Sequence, residues 1–148
     1  MFAECMADLP NVEMVNISDN SLTDHSLPYI LEALGQMPHL TELNLSRNKI
    51  DDKASEALAR YVADPKTPVI KLIMQNADVD DFECAAFVET LKTNVFLRDL
   101  DLSNNLLGSA EILNSVFGGE IIYICRHITP IIIVLFCFHF VMFDACHA

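Results

Sequence analysis

Three carboxylates are the first candidates for chemistry. Glu42 lies in LTELNLSRNKI at residues 40–50, and Asp99 and Asp101 lie in the closely matching LRDLDLSNNLL at residues 97–107. Paired carboxylates at short range are one arrangement that serves general acid–base catalysis. Asp99 and Asp101, two residues apart on an extended chain, share a face. Glu42 would stand about two strands away, roughly 10 Å at about 4.8 Å per parallel strand. No nucleophile, phosphate-binding loop or cleft-forming stretch accompanies them, so the expectation is a chain that is not an enzyme. The five histidines (His25, His39, His127, His139, His147) show no ligand spacing, and His25 and His39 read as solvated turn residues. The five cysteines (Cys5, Cys84, Cys125, Cys137, Cys146) are odd in number and contain no C-x-x-C pair. Neither a disulfide framework nor a zinc site is indicated. Asp80 and Asp81 suit the start of a helix better than calcium, which needs a loop of alternating oxygen ligands. No cofactor and no metal is expected.

The elements that position these residues follow from a repeat. Strand-like signatures begin at Val12, Leu40, Val69 and Leu97, at intervals of 28, 29 and 28 residues. The four copies run Val12, Val15, Ile17, Asn20, Leu22; then Leu40, Leu43, Leu45, Asn48, Ile50; then Val69, Leu72, Met74, Ala77, Val79; then Leu97, Leu100, Leu102, Asn105, Leu107. After each strand the apolar spacing becomes helical. Leu27, Ile30, Leu31 and Leu34 stand at i, i+3, i+4 and i+7, as do Cys84, Phe87, Val88 and Leu91. Leu58, Ala59 and Val62 serve the second unit. Cys84 thus falls on a core position and reads as a structural thiol. Asp24, Asp51 or Asp52, and Asp80 or Asp81 precede these helices, where a carboxylate can accept orphan amide protons. Pro28 fits a first helical turn, and Pro38, Pro65 and Pro68 lie between helix and next strand. Such a unit cannot bury its own apolar stripe, and stacking does it instead.

This period, with a helix in each unit and the motifs LTELNLSRNKI and LRDLDLSNNLL, resembles the ribonuclease-inhibitor-like class of leucine-rich repeats over about residues 10–117. The resemblance implies an α/β leucine-rich repeat solenoid, a right-handed arc with parallel strands on its concave face and helices on its convex face. It also implies protein binding on the concave face, and a ladder of turn amides from Asn20, Asn48 and Asn105. The chain departs from the pattern at Ala77, which replaces the amide and has Asn76 beside it. It departs again at Glu83 and Glu111, where Ser26 and Ala54 show the usual small residue.

Alternation along the strands points Met14, Asn16 and Ser18; Glu42, Asn44 and Ser46; Lys71, Ile73 and Gln75; and Asp99, Asp101 and Ser103 toward that concave face, with Asp19, Arg47, Asn76 and Asn104 at its edge. The face is polar and mildly acidic, with one apolar element at Ile73. These twelve positions are the expected partner-binding residues. A formal net charge of −12 argues against nucleic acid, whose affinity comes from Lys and Arg releasing counterions. It suits a basic protein partner. The opening MFAECMADLP carries Glu4 and Asp8 and no basic residue before an apolar core, unlike a secretory signal, and reduced thiols fit a cytoplasmic setting.

Residues 1–117 hold 19 of the 21 acidic and 8 of the 9 basic residues, so the expected organisation is a lead at 1–9, repeats at 10–117 and an apolar tail at 118–148. A fourth helix opens with Ile112, Leu113 and Val116 and meets Gly118-Gly119. Within the tail, residues 121–143 read IIYICRHITPIIIVLFCFHFVMF. About 20 apolar residues span a bilayer, and only 16 follow His127 before Asp144. Three readings stay open for this segment. It can be a transmembrane anchor that holds a cytosolic repeat domain, a cap over the open end of the repeats, or sequence foreign to the repeats through splicing or truncation.

Overall fold

The computed structural model describes residues 11–91 and 94–107. The elements alternate as β1 (Met14–Asn16), α1 (Leu27–Leu34), β2 (Glu42–Asn44), α2 (Asp52–Ala63), β3 (Lys71–Ile73), α3 (Asp81–Leu91) and β4 (Asp99–Asp101). The strands form one parallel sheet in sequence order, and each helix packs on the next. Register follows the repeat: Val15, Leu43, Leu72 and Leu100 stand side by side. This architecture agrees with the α/β expectation. The expected fourth helix and the tail, including its reading as a membrane span at 121–143, lie outside the described residues, as does the lead at 1–9. No helix among the described residues is long and apolar enough to cross a membrane.

The leucine pattern builds the core directly. Leu40, Leu43, Leu45, Leu72 and Leu100 are essentially fully buried and meet Leu27, Leu34, Leu58 and Val62 from the helices. Val12, Val15 and Ile17 of the first repeat are only partly buried; among the described residues β1 is paired on one side, by β2. Cys84 and Phe87 are buried on α3, as their spacing predicts, and His25 and His39 are exposed in turns.

Each strand runs into a turn through a left-handed residue: Asp19, Arg47, Asn76 and Asn104 all have φ between 50° and 59°. Asn76 therefore fills the same place as Arg47, and Ala77 holds the amide position. The amide ladder works as the resemblance implies at two of its rungs. Asn48 Oδ1 accepts the N–H groups of Asn20 and Leu22 at 3.1 and 3.0 Å, and its Nδ2 donates to the carbonyls of Ile17 and Leu45, both at 2.9 Å. Asn105 repeats this with the N–H groups of Ala77 and Val79 and the carbonyls of Met74 and Leu102. Asn20 does not share the role, since its side chain only donates to the Ser18 carbonyl at an exposed site. At Ala77 the ladder is interrupted, and the Ala77 carbonyl itself accepts the Ile50 N–H at 3.0 Å. A backbone group thereby does part of what the missing side chain would do.

Two of the three expected carboxylate caps are corrected. Asp24 does not cap α1, which has Ser26 at its N-cap position and Pro28 in its first turn. Instead its Oδ1 accepts the N–H of Ala54, in the first turn of α2, at 3.0 Å, so it caps the helix of the following repeat. Asp51 precedes α2 without a side-chain cap and pairs with Lys49 at 3.0 Å. Asp80 is the one that caps its own helix, accepting from Phe82 and Glu83, while Glu83 reaches back to the Asp80 N–H at 2.9 Å. The departure at Glu83 is thus a capping box. A side-chain hydrogen bond with Glu83, and then the Phe82 N–H, hold the Asp80 carboxyl below its usual range, whereas burial first and Asp80 second push Glu83 up. Asn94 makes a further link that the period does not foretell: Nδ2 donates to the Val62 carbonyl at 2.7 Å near the end of α2, and Oδ1 accepts from Phe96 and Leu97.

Two predictions follow from this packing. Asn48 is 2 % exposed, and Asn48→Ala strands four backbone groups at about 1–3 kcal/mol for each one left dry; urea unfolding should show a loss of at least about 2 kcal/mol, against under about 1 kcal/mol for Asn20→Ala. The Cys84 thiol is pushed up to about 11 by burial, then by the charges of Asp81 and Glu83. The unfolded thiol titrates near about 8.5, so the folded chain holds this proton more tightly. Its contribution to stability is whole below about pH 8.5 and lost as pH rises through about 11. Unfolding midpoints across that window should fall less for Cys84→Ala than for the native chain, once each is referred to its value at pH 7.

Candidate interaction face

The sheet brings the twelve predicted residues together in three cross-strand rows. Met14, Glu42, Lys71 and Asp99 are register partners, and so are Asn16, Asn44, Ile73 and Asp101. The third row, Ser18, Ser46, Gln75 and Ser103, lies just past the strand ends. β2, β3 and β4 each bury their central residue, β1 half-buries Val15, and all four leave their two flanking residues at least partly open. Met14 is the most open of the large apolar side chains on this face, at 60 %.

The third row is a correction. Ser46 and Ser103 are buried, at 7 % and 8 % exposure, and Ser18 is half-buried. Their place is fixed by a local motif. Asn16 Oδ1 accepts the Ser18 N–H at 3.0 Å, Asn44 Oδ1 the Ser46 N–H at 3.0 Å, and Asp101 Oδ1 the Ser103 N–H at 2.9 Å. An Asn or Asp that bonds its own backbone two residues on makes an Asx turn, and here it closes three of the four strands. Ile73 cannot do this, and at that strand the Gln75 N–H donates to Ser46 Oγ at 3.1 Å instead. The signal was present in the sequence as Asn-x-Ser, Asn-x-Ser and Asp-x-Ser at one repeat position.

The charges are also partly spent within the face. Lys71 Nζ lies 3.0 Å from Glu42 Oε1, with the two side chains 38 % and 26 % exposed. Asp101 receives Gln75 Nε2 at 2.5 Å and the Ser103 hydroxyl. Asp99 makes no side-chain hydrogen bond or ion pair among the described residues.

Catalysis finds little support in this arrangement. The three carboxylates stand on a sheet face, and two of them are engaged in hydrogen bonds and an ion pair. The buried groups with raised titration, Tyr61 and Cys84, sit in the core, displaced by desolvation. A void of about 10 Å³ among Leu58, Met74, Phe87 and Leu102 has room for about one water and is walled by core residues. No group of three or more His, Cys, Asp or Glu among the described residues is placed to hold a metal ion.

Comparison with known proteins agrees with the fold. A leucine-rich repeat family model matches residues 36–59, which span the second strand, its turn and the larger part of α2. The chain is 33% identical over 102 residues to ribonuclease inhibitor of Mus musculus and 32% identical to that of Sus scrofa, covering 69% of this chain in each case. It is 28% identical over 106 residues to the NACHT, LRR and PYD domains-containing protein 4B of Mus musculus. The matched part spans 22% of either ribonuclease inhibitor and 12% of the third relative.

Core and face positions in one strand should respond differently to mutation. Leu43→Ala removes a fully buried side chain and should cost about 2–5 kcal/mol in urea unfolding. Glu42→Gln, one residue away, breaks only a partly solvated ion pair and should change stability by under about 1 kcal/mol.

Proposed function

The chain is a ribonuclease-inhibitor-like leucine-rich repeat protein, and from that premise we propose that it is a non-catalytic protein-interaction module. In this reading the repeats form a right-handed solenoid arc and the strand face, on its concave side, meets the partner. The observation that carries it is the cross-strand alignment of Met14, Glu42, Lys71 and Asp99 with Asn16, Asn44, Ile73 and Asp101. Such rows give a broad surface, with apolar and charged groups at fixed spacing and no cleft for a small substrate.

An acidic chain with net charge −12 suits a basic protein partner, which it would attract before contact. Nucleic acid and cofactors have no place in this reading. A cytoplasmic setting fits it, since Cys84 is a free buried thiol. Because two relatives bear the name ribonuclease inhibitor, a ribonuclease is a reasonable first partner to try. The matched part spans about a fifth of those relatives, so whatever their full length contributes is not carried over with it.

The test alters the open row while leaving the Asx turns intact. A full-length variant combining Met14→Asp, Lys71→Glu and Asp99→Lys should keep its circular dichroism and a cooperative unfolding transition above the assay temperature, yet lose partners that the native chain retains in a pull-down. Undiminished recovery by the folded variant would move the binding surface off this face.

A further inference from the structure

The face is not uniform, and its asymmetry indicates what part of a partner it takes. Of its four charged side chains, Glu42 and Lys71 neutralise each other at 3.0 Å, and Asp101 is bound up with Gln75 and Ser103. Asp99 is the carboxylate left to accept a donor from outside. It is half-buried, so a cation placed on it is less screened than at an open surface. The register puts Asp99 beside Lys71 and Ile73 beside Asp101. Ile73 therefore stands on the diagonal from Asp99, roughly 8 Å away by one strand spacing and a two-residue rise. Ile73 is also the residue that replaces the turn-forming Asn or Asp of the other strands, which leaves an apolar side chain in a polar row.

Together these features match one kind of side chain. Arginine carries an apolar stem that can lie along a hydrophobic surface while its head remains polar, and its planar guanidinium bonds a carboxylate through two parallel N–H groups. Resting on the reading that this face binds protein, we propose that Asp99 and Ile73 form the specificity-determining subsite, and that it takes an arginine of the partner, with the stem over Ile73 and the guanidinium on Asp99. Glu42, though equally acidic in the sequence, is held by Lys71 and is not part of this subsite.

The experiment uses the full chain labelled with nitrogen-15 and a defined probe: an end-capped hexapeptide holding one arginine between two leucines, with a twin in which citrulline replaces the arginine. The arginine peptide should give saturable amide shifts at Ile73, Asp99 and Asp101. Affinity should drop at least tenfold for the citrulline twin and for Asp99→Asn. It should stay within about threefold for Asp99→Glu, which keeps the charge, and within twofold for Glu56→Gln, which removes an exposed carboxylate of α2 off this face. Unfolding midpoints of all variants establish that each is folded. Equal binding of the twin, an equal loss in Glu56→Gln, or the absence of any saturable shift overturns the subsite. Each of those results leaves the broader interaction reading to the pull-down with the three-residue variant, so the two can fail separately.

Discussion

The structure depends on one constraint: the turn after each strand carries backbone N–H and C=O groups inward, and these need partners. A buried amide or carbonyl without one is costly, and native proteins rarely leave any. Here the partners come from the next repeat. The left-handed residues Asp19, Arg47 and Asn76 donate to the carbonyls of Ser46, Gln75 and Ser103, and Asn48 and Asn105 reach back to the turn before their own. A single repeat could satisfy neither its turn nor its leucines. Stacking answers both needs at once, which is why the strands keep one register across all four copies.

Seen this way, the exception at Ala77 is informative. A side-chain amide supplies two acceptor contacts and two donor contacts in one rigid plane. Alanine supplies none; the Ile50 N–H is taken up by the Ala77 carbonyl, and the Leu45 and Met74 carbonyls accept from Asn48 and Asn105. The sheet nevertheless keeps its register from β2 to β3, because Leu43, Leu72 and Val69 remain buried on both sides of the gap. Apolar packing thus sets the repeat spacing, and the amides confirm it where they are present.

Much of this was legible in the sequence, because a period of 28 or 29 residues states the core and the strand register together. Leu40, Leu43, Leu45, Leu72 and Leu100 are where the pattern puts them. What escaped is interaction between repeats that obeys no period of its own. Asp24 read as a cap of the helix beside it, and it caps the helix one repeat on. Asn94 falls on no position that the period marks, and it ties the end of α2 to Leu97 just before the fourth strand. On the face, alternation assigned direction correctly to Glu42, Asn44, Lys71 and Asp99 but treated every outward residue as free. Alternation describes where a side chain starts, and a short polar side chain can turn back onto its own backbone, as Asn16, Asn44 and Asp101 do.

That distinction changes how the face should be understood. Positions that close the strand ends are constrained by the fold: replacing Asn44 affects the Ser46 turn as well as any contact, and Ser46 is buried beneath it. The row of Met14, Glu42, Lys71 and Asp99 carries no such duty, since its backbone is already paired across the sheet and its side chains make at most one ion pair with each other. Residue type there can vary without disturbing the turns. The second row joins it only at Ile73, where the turn-forming residue has been given up. A repeat fold written in a fixed set of leucines and amides therefore leaves a narrow strip in which partner choice can be encoded, and in this chain that strip is most distinctive where the third and fourth strands meet.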